Sequence, residues 1–255
     1  MTPLLQAHGL TRSFGHVKAL DGADFDADVG EVVALIGDNG AGKSTLVKSL
    51  SGNLELDAGQ VIFDGRTVRL NTPSDATKLG IEVVYQDLAL APHLDPTQNL
   101  FLGREIPAPG PLGWFGFMNN REMRRRARNS FVELGGTVRA LGSPVGNMSG
   151  GQRQQIAIAR AIAWADRLVF LDEPTAALGV VQTRNVLDAI KRVRDSGIAV
   201  VLISHSMPEV LQVADRIQVM RLGKRVATFN GNDADVEQLV GAMTGALQVG
   251  RAVAS

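Results

Sequence analysis

The sequence predicts an α/β protein in which helices cover a mainly parallel β-sheet. Short apolar runs rich in Val and Ile alternate with helix-like stretches, which is typical of strands that are buried on both faces. A polar residue of chemical interest lies near the C-terminal end of each run. Open α/β sheets bind ligands at that edge, so the sequence predicts a site there. The four runs are "EVVALIG" (31–37), "IEVVY" (81–85), "DRLVFLD" (166–172) and "IAVVLIS" (198–204).

Length and composition limit the function classes. The chain has 255 residues, enough for one large α/β domain or two small ones. Its 26 basic and 26 acidic residues balance to a net charge of zero, so bulk charge gives no reason to expect nucleic-acid binding. The absence of cysteine excludes disulfides, thiolate metal sites and a cysteine nucleophile, and it fits a cytosolic chain. Because no signal peptide and no run of about 18 apolar residues is present, we expect a membrane role only through a partner.

Two segments depart from the parallel pattern. "FDADVGE" and "GQVIFDG" alternate in the manner of antiparallel strands joined by tight turns. From Asp87 to Gly146 the chain becomes rich in Pro and Gly, and then basic, which indicates a mainly helical insertion. Arg121 to Arg128 within it are expected to form a solvated helix face. A basic patch directed at anionic lipid or at a membrane subunit is the alternative.

A glycine-rich loop predicts nucleotide binding. It follows the first predicted strand, precedes the helix-like "STLVKSLSG" and matches G-x-x-x-x-G-K-[ST]. Glycines let backbone N–H groups face phosphates, and we expect Lys43 to reach the β and γ phosphates and Ser44 to bind Mg²⁺. The alternative is a glycine-rich turn that only caps a helix. The candidate nucleotide-binding residues are Gly37, Asn39, Gly40, Ala41, Gly42, Lys43, Ser44 and Thr45.

Two adjacent acids end the third buried run. Since consecutive strand residues point to opposite sides, Asp172 and Glu173 can have different roles. We expect Asp172 to hold Mg²⁺ through water, and Glu173 to polarise the attacking water as a general base or an orienting group. The alternative is that both acids cap a strand and bind solvent.

Gln86 and His205 end two further runs. Gln86 closes "VVYQD", and its amide can bind Mg²⁺ or water. His205 closes "VVLISH" and is a candidate contact for the γ-phosphate, although a lone histidine is more often structural.

A second glycine pair marks another helix start, in "NMSGGQRQQ" (147–155). Ser149 is a good N-cap hydroxyl, and Gly150 and Gly151 would let helix N–H groups approach an anion. An ordinary glycine-containing helix start is the alternative.

Taken in series, these motifs resemble one family, the ATP-binding cassette (ABC) ATPases. The shared elements are "GDNGAGKST", "YQD", "MSGGQ", "VFLDEP" and "ISH", in the family's order, within Leu4 to about Gly241. The resemblance implies an α/β fold with a P-loop NTPase (RecA-like) core, an antiparallel β subdomain and an inserted helical subdomain. One cassette would span 1–255, with its core in 1–86 and 158–255 and its helical subdomain in 87–157.

The resemblance also implies ATP as ligand and a nucleotide-sandwich dimer with a second copy or a close homologue. Ser149, Gly150, Gly151 and Gln152 would then touch the γ-phosphate of ATP held by the partner. Phe14 lies where the family commonly places an aromatic that stacks on adenine. Its alternative is an ordinary hydrophobic residue of a surface hairpin.

Three longer stretches are similar to the ATPases of bacterial ribose, fructose and xylose importers: "GDNGAGKSTLVKSLSG", "EPTAALGV" and "SHSMPEVLQVADRIQVMRLGKRVA". This branch implies ATP hydrolysis coupled to sugar import through separate membrane permease subunits, an indirect sugar-binding protein, no nucleic acid, and a peripheral position on the inner face of the plasma membrane. Segment 87–105 would dock the permease or belong to the core of the insertion. Gly179 replaces the family's frequent aspartate, and Met148 replaces its usual signature leucine.

Two other function classes stay open at this point. A soluble ABC ATPase acting on DNA or ribosomes usually carries coiled coils or two cassettes with a basic linker, and neither is visible. A P-loop kinase or GTPase is disfavoured by "SGGQ" and by the lack of an N-K-x-D motif.

Overall fold

The computed structural model describes residues 3–133 and 141–246, and it divides into two compact units. The first unit comprises Met1–Val83, Ala165–Glu173 and Ile190–Ser255, and the second comprises Val84–Trp164 and Pro174–Ala189. The strands, in chain order, are β1 (Leu5–Phe14), β2 (Val17–Ala27), β3 (Val32–Ile36), β4 (Ala58–Phe63), β5 (Arg66–Val68), β6 (Ile81–Val84), β7 (Leu168–Asp172), β8 (Ala199–Ile203), β9 (Arg216–Arg221) and β10 (Lys224–Asn230).

The helices are α1 (Lys43–Leu50), α2 (Pro73–Lys78), α3 (Pro96–Phe101), α4 (Pro111–Trp114), α5 (Asn120–Glu133), α6 (Gly150–Trp164), α7 (Val180–Asp195), α8 (Met207–Val213) and α9 (Val236–Thr244), with a 3₁₀ turn at Val145–Asn147. None of the helices in the described residues is long and apolar enough to cross a membrane.

The larger sheet has the order β10-β9-β3-β8-β7-β6. β3 pairs in parallel with both β8 and β9, and β7 pairs in parallel with β8. Every residue of β3, β7 and β8 is buried, which explains why these strands are uninterrupted apolar runs. The four predicted strands are confirmed as β3, β6, β7 and β8. β9 and β10, an antiparallel pair that extends the sheet, are not predicted from the sequence.

The smaller sheet is antiparallel, in the order β2-β1-β4-β5. The prediction of antiparallel strands is confirmed for "GQVIFDG", which contains β4. "FDADVGE" holds only the end of β2, because that strand begins at Val17. Phe25 and Phe63 are buried between this sheet and the rest of the first unit's core.

Helices α3, α5 and α6 pack together in the second unit. The rings of Phe101 and Trp164 meet edge to face, with centroids 5.5 Å apart. Within segment 87–105, Leu100 and Phe101 are buried in this core, whereas Leu102 is exposed. α6 runs without a break from Gly150 to Trp164, so the predicted boundary between 157 and 158 falls inside it.

Candidate active site

Three strands of the first unit end at one edge of the larger sheet. The parallel register pairs Leu35 of β3 with Ile203 of β8, and Asp172 of β7 with the same Ile203. The segments that follow these strands begin at Gly37, Glu173 and Ser204. The sheet therefore brings the glycine-rich loop, the acidic pair and His205 to one edge, as the sequence predicts.

Two glycines of the loop are required by its backbone. Gly37 has φ +154°, and a Cβ there would lie 2.3 Å from the carbonyl oxygen of Met220. Gly42 has φ +102°, and its Cβ would lie 2.5 Å from the carbonyl oxygen of Ala19. Gly40, with φ +80°, has nothing within 4 Å of a Cβ, so only its conformation favours glycine there. The loop is packed on β9 and β2, which fixes its curvature.

Lys43 begins α1 and is only 6% exposed. Its Nζ donates hydrogen bonds to the carbonyl oxygens of Gly37 at 2.6 Å and Asp38 at 3.0 Å. The ammonium therefore lies across the inside of the loop. Burial lowers the pKa of Lys43, and the carboxylates of Glu173, Asp172 and Asp38 oppose that shift. A phosphate placed in the loop would supply the negative charge that this buried cation lacks.

The other predicted loop residues differ in exposure. Asn39, Gly40 and Ser44 are exposed, and Thr45 is half-buried. Ala41 is buried, and its N–H donates to the carbonyl oxygen of Asp38 at 3.1 Å, which closes the turn before α1. Their contacts with a nucleotide stay predictions.

The acidic pair ends β7. Asp172 is 8% exposed, and burial raises its pKa, while Lys43, Lys48 and His205 act in the opposite direction. Glu173 has a left-handed backbone with φ +52°, rare for a residue with a side chain. Its N–H donates to the carbonyl oxygen of Ile203 at 2.9 Å, which holds that conformation against β8.

Glu173 and His205 form a close pair. Glu173 Oε1 lies 3.3 Å from His205 Nε2, and the two side chains are 17% and 48% exposed, respectively. Burial raises the pKa of Glu173, and Asp172 raises it further, while His205 and Lys43 lower it. The sequence left a purely structural His205 open; in the structure the ring is open to solvent and contacts the acid. A carboxylate poised in this way can orient or deprotonate a water.

The residues present fit a hard divalent cation that is shared with phosphates. Asp172 offers carboxylate oxygens and Ser44 a hydroxyl oxygen, the ligand type that Mg²⁺ prefers. No group of three or more His, Cys, Asp or Glu side chains in the described residues forms a metal cage of its own. A cation here would therefore depend on the nucleotide for further ligands.

Gln86 and the second glycine pair belong to the second unit. Gln86 follows β6 and is exposed. Ser149 caps α6: its N–H donates to Gln152 Oε1 at 2.9 Å, and its Oγ accepts from the Gln152 N–H at 3.3 Å. This reciprocal capping box confirms Ser149 as an N-cap. In the capping box the side-chain oxygen of Gln152 accepts a hydrogen bond from its own chain.

The two glycines of "MSGGQ", Gly150 and Gly151, have different reasons to be glycine. A Cβ on Gly151 would lie 3.3 Å from both the carbonyl oxygen of Ala177 and Cδ2 of Leu178, so packing restricts that position. A Cβ on Gly150 would meet only the Cβ of Ala177, at 4.0 Å. The N–H groups of Gly150 and Gly151 have no acceptor among the described residues. Gly150 therefore leaves the N-terminus of α6 open, and no packing contact among residues 3–133 and 141–246 requires a glycine at this position.

Phe14 ends β1 and is 49% exposed. The guanidinium of Arg12 lies 5.2 Å from the centre of its ring, and Arg12 also pairs with Asp57 at 2.8 Å. Sequence reasoning misses Arg12, although the two-residue period of a strand places it on the same face as Phe14. One face of the ring is thus supported by a cation. Adenine stacking by Phe14 stays a prediction.

Comparison with known proteins decides the family. The ABC transporter family model matches residues 20–176, more than half of the chain. This chain belongs to the ABC transporter family. It is an ATPase cassette of that family, and the predicted resemblance is confirmed.

Curated relatives of this ABC cassette are named as sugar import proteins. The fructose import ATP-binding protein FrcA of Rhizobium meliloti is 48% identical, over 96% of this chain and 95% of its own length. The xylose/arabinose import ATP-binding protein XylG of Sulfolobus acidocaldarius is 41% identical, over 96% and 95%. The ribose import ATP-binding protein RbsA 2 of Escherichia coli O157:H7 is 37% identical, but this chain spans only 47% of its length.

Solved structures agree with the fold. A nucleotide-free ATP-binding cassette from an ABC transporter superposes with a TM-score of 0.79 at 26% identity, covering 94% of this chain and 96% of that one. A dimeric bacterial ABC transporter cassette gives a TM-score of 0.78 at 22% identity, covering 90% and 100%, and it supports the fold alone. The predicted P-loop core with an antiparallel β subdomain and an inserted helical part is therefore confirmed.

Proposed function

We propose that this ABC cassette hydrolyses Mg-ATP to drive the import of a sugar through separate membrane permease subunits. The observation that carries the proposal is the arrangement at one sheet edge of the first unit. There a buried lysine inside a glycine loop, a buried aspartate and a Glu173–His205 pair 3.3 Å apart lie at the ends of neighbouring strands. Such an arrangement provides phosphate binding, a cation ligand and a water-activating acid together.

Each side chain has a distinct task in this proposal. Lys43 exchanges its carbonyl contacts for the β and γ phosphates, which restores the charge balance that burial disturbs. Mg²⁺, bound by Ser44 and Asp172, would neutralise phosphate charge, and Gln86 as a further ligand stays a prediction from the sequence. Glu173 orients the attacking water or takes up its proton, and its raised pKa brings it closer to the working pH. His205 holds the Glu173 side chain and would contact the γ-phosphate.

The open start of α6 supports the second part of the proposal, that two cassettes share each ATP. The N–H groups of Gly150 and Gly151 have no acceptor within the part of the chain that the structure describes. The N-terminus of α6, a helix of 15 residues, favours an anion. We propose that Ser149, Gly150, Gly151 and Gln152 receive the γ-phosphate of ATP held by a second copy. Phe14, backed by Arg12, stacks on the adenine.

The cargo and its partners come from the relatives. Proteins named for fructose and for xylose or arabinose import align with nearly this whole chain, which supports a pentose or hexose as cargo. A permease pair and, indirectly, a sugar-binding protein would complete the transporter. The cassette would then lie peripherally on the inner face of the plasma membrane.

The first experiment uses Glu173→Gln as a trap. With Mg-ATP at saturation, we expect this variant to form a stable dimer in light scattering, because hydrolysis normally opens the sandwich. Glu237→Gln removes the same charge from an exposed position in the first turn of α9. In light scattering this control should behave as the wild type does and form no stable dimer with Mg-ATP. A Glu173→Gln variant that remains monomeric contradicts the shared-ATP arrangement.

The second experiment identifies the assembly. The tagged chain is recovered from gently solubilised membranes of its native cells, and the co-purifying proteins are identified. A polytopic membrane protein supports the importer, and a sugar-binding protein found with it names the cargo by its ligand. Ribosomes or DNA in place of a membrane protein would overturn the transport proposal while leaving the ATPase chemistry intact.

A further inference from the structure

The second unit carries a concentrated apolar surface that the ATPase chemistry does not use. We call residues 110–118, "GPLGWFGFM", the apolar tip. Its five large apolar side chains are exposed: Leu112 by 56%, Trp114 by 95%, Phe115 by 80%, Phe117 by 60% and Met118 by 50%. Isolated exposed apolar residues are ordinary, but a contiguous group marks an interaction site.

The apolar tip is held in shape by its own backbone. The Ala108 N–H donates to the Phe117 carbonyl oxygen at 2.8 Å, and the Asn119 N–H donates to the Ile106 carbonyl oxygen at 2.7 Å. A Pro107–Met118 bridge lies between these two bonds. The side chains therefore project from an ordered turn, and binding through them does not have to order the backbone first.

A basic helix follows the apolar tip directly. Asn119 caps α5, since its Oδ1 accepts from the Glu122 N–H at 3.1 Å. Arg121, Arg124 and Arg128 are exposed and have the i, i+3, i+7 spacing of a single helix face. The sequence left this face open, either as solvated surface or as a lipid-directed patch.

The charge of this region is unbalanced. Helix α5 contains five arginines (Arg121, Arg124, Arg125, Arg126, Arg128) and two acids (Glu122, Glu133), a net charge of +3 in a chain whose total is zero. Glu122 is already paired with Arg125 at 2.6 Å and Arg126 at 2.8 Å. Among the described residues, no carboxylate pairs with Arg121, Arg124 or Arg128.

We propose that the apolar tip inserts into the headgroup region of an anionic lipid bilayer and that the arginines of α5 bind lipid phosphates. Trp is suited to the bilayer interface because its ring combines an apolar body with a polar N–H, and Phe and Leu are common on the apolar face of segments that lie in this interface. The Trp114 side chain is almost fully exposed, so it projects from the surface and can enter a bilayer. It does not line a groove that could receive a peptide. The unpaired arginines complement a negative surface. In this proposal the chain contacts lipid directly, in addition to being held at the membrane by permease subunits.

Tryptophan fluorescence tests the insertion. The chain has two tryptophans, and Trp164 is held inside the second unit, where its Nε1 donates to the Leu100 carbonyl oxygen at 2.7 Å. The full chain is mixed with vesicles of phosphatidylcholine alone or with added phosphatidylglycerol. We expect a blue shift and quenching by brominated lipid only with phosphatidylglycerol, and both effects should vanish in Trp114→Phe, which keeps Trp164.

A matched pair of charge variants tests the electrostatic part. Arg121→Gln with Arg124→Gln should weaken binding to phosphatidylglycerol vesicles about 25-fold, at about fivefold for each charge. Arg66→Gln with Arg69→Gln removes two exposed arginines from the first unit and should leave vesicle binding unchanged. Added salt should weaken the wild type and have less effect on the Arg121 and Arg124 variant.

Three results would overturn the inference: no binding to either kind of vesicle, equal binding to neutral and anionic vesicles, or equal weakening by both pairs of arginine variants. A Trp114 shift that needs a membrane protein in the vesicle would assign the apolar tip to a protein interface instead. ATPase activity and dimer formation should persist in the Arg121 and Arg124 variant, so failure here is distinguishable from failure of the proposed ATPase.

Discussion

Substituting Gly150 by alanine should separate stability from function at the start of α6. Gly150 is the first residue of α6, and a Cβ there meets nothing closer than 4.0 Å. Glycine in a helix costs roughly 0.5–1 kcal/mol relative to alanine, so Gly150→Ala should raise the free energy of unfolding by about 0.5 kcal/mol at this end position. That corresponds to a Tm increase of about 1–2 °C for a chain of this size.

The same methyl group should damage hydrolysis. It would stand at the exposed helix start, beside the N–H groups of Gly150 and Gly151 that we assign to the γ-phosphate. A hydrogen bond to a charged group contributes about 1.5–3 kcal/mol. Loss of one such bond should lower ATPase activity about 10- to 150-fold, and it should weaken the ATP-dependent dimer formed by Glu173→Gln.

Three measurements on purified protein check these values: thermal unfolding without nucleotide, steady-state phosphate release, and light scattering in the Glu173→Gln background. Gly142→Ala is the neutral control, since its Cβ would lie in open space in the same unit and it does not have a left-handed φ. Gly151→Ala is the packing control, because its Cβ contacts at 3.3 Å should cost stability as well as activity.

Two outcomes would refute the reasoning. If Gly150→Ala lowers Tm as much as Gly151→Ala does, Gly150 is a packing residue and its open surroundings have been misjudged. If Gly150→Ala gains stability and keeps full ATPase activity, the open N–H groups do not bind the γ-phosphate.

Other predictions concern the first unit. Burial raises the folded-state pKa of Glu173, so the contribution of this side chain to stability is present below the ordinary pKa of 4.5 and is lost as pH rises through the folded-state pKa. Glu173→Gln should therefore have a higher Tm than the wild type at neutral pH and no advantage below pH 4.5. Thermal scans without nucleotide measure this difference. Gly37→Ala places a Cβ 2.3 Å from the Met220 carbonyl oxygen and should cost at least about 3 kcal/mol, whereas Gly40→Ala, which has only φ strain, should cost about 1 kcal/mol in urea unfolding. Lys43→Ala should lower ATP affinity more than about tenfold in titration calorimetry, because a charged hydrogen bond to phosphate is lost. The far-UV circular dichroism of the variant should remain that of the wild type. Unchanged affinity would exclude Lys43 as the phosphate ligand.

The local sequence pattern was enough to predict the features that depend only on residues close together in the sequence. The strands β3, β7 and β8 are buried on both faces, so their apolar runs are continuous and recognisable. The Ser149–Gln152 capping box has a fixed spacing of three residues and is likewise visible without a structure. The parallel arrangement then implied that the residues following β3, β7 and β8 share one edge.

Other features depend on contacts between distant parts of the chain. β9 and β10 alternate less clearly, and only their pairing with β3 and with each other identifies them as strands. The left-handed backbone of Glu173 is imposed by a bond to Ile203, 30 positions later, and brings its carboxylate to His205.

The sequence alone determined the family, the phosphate loop and the sheet edge where the chemistry lies, because those depend on motif order and strand periodicity. The tertiary structure decided which glycines are held by packing and which face outward: Gly151 lies against Ala177 and Gly150 does not. It also decided that Trp114 and its apolar neighbours stay outside the core. Burial depends on what other segments of the chain cover, and a local pattern of residues does not contain that information.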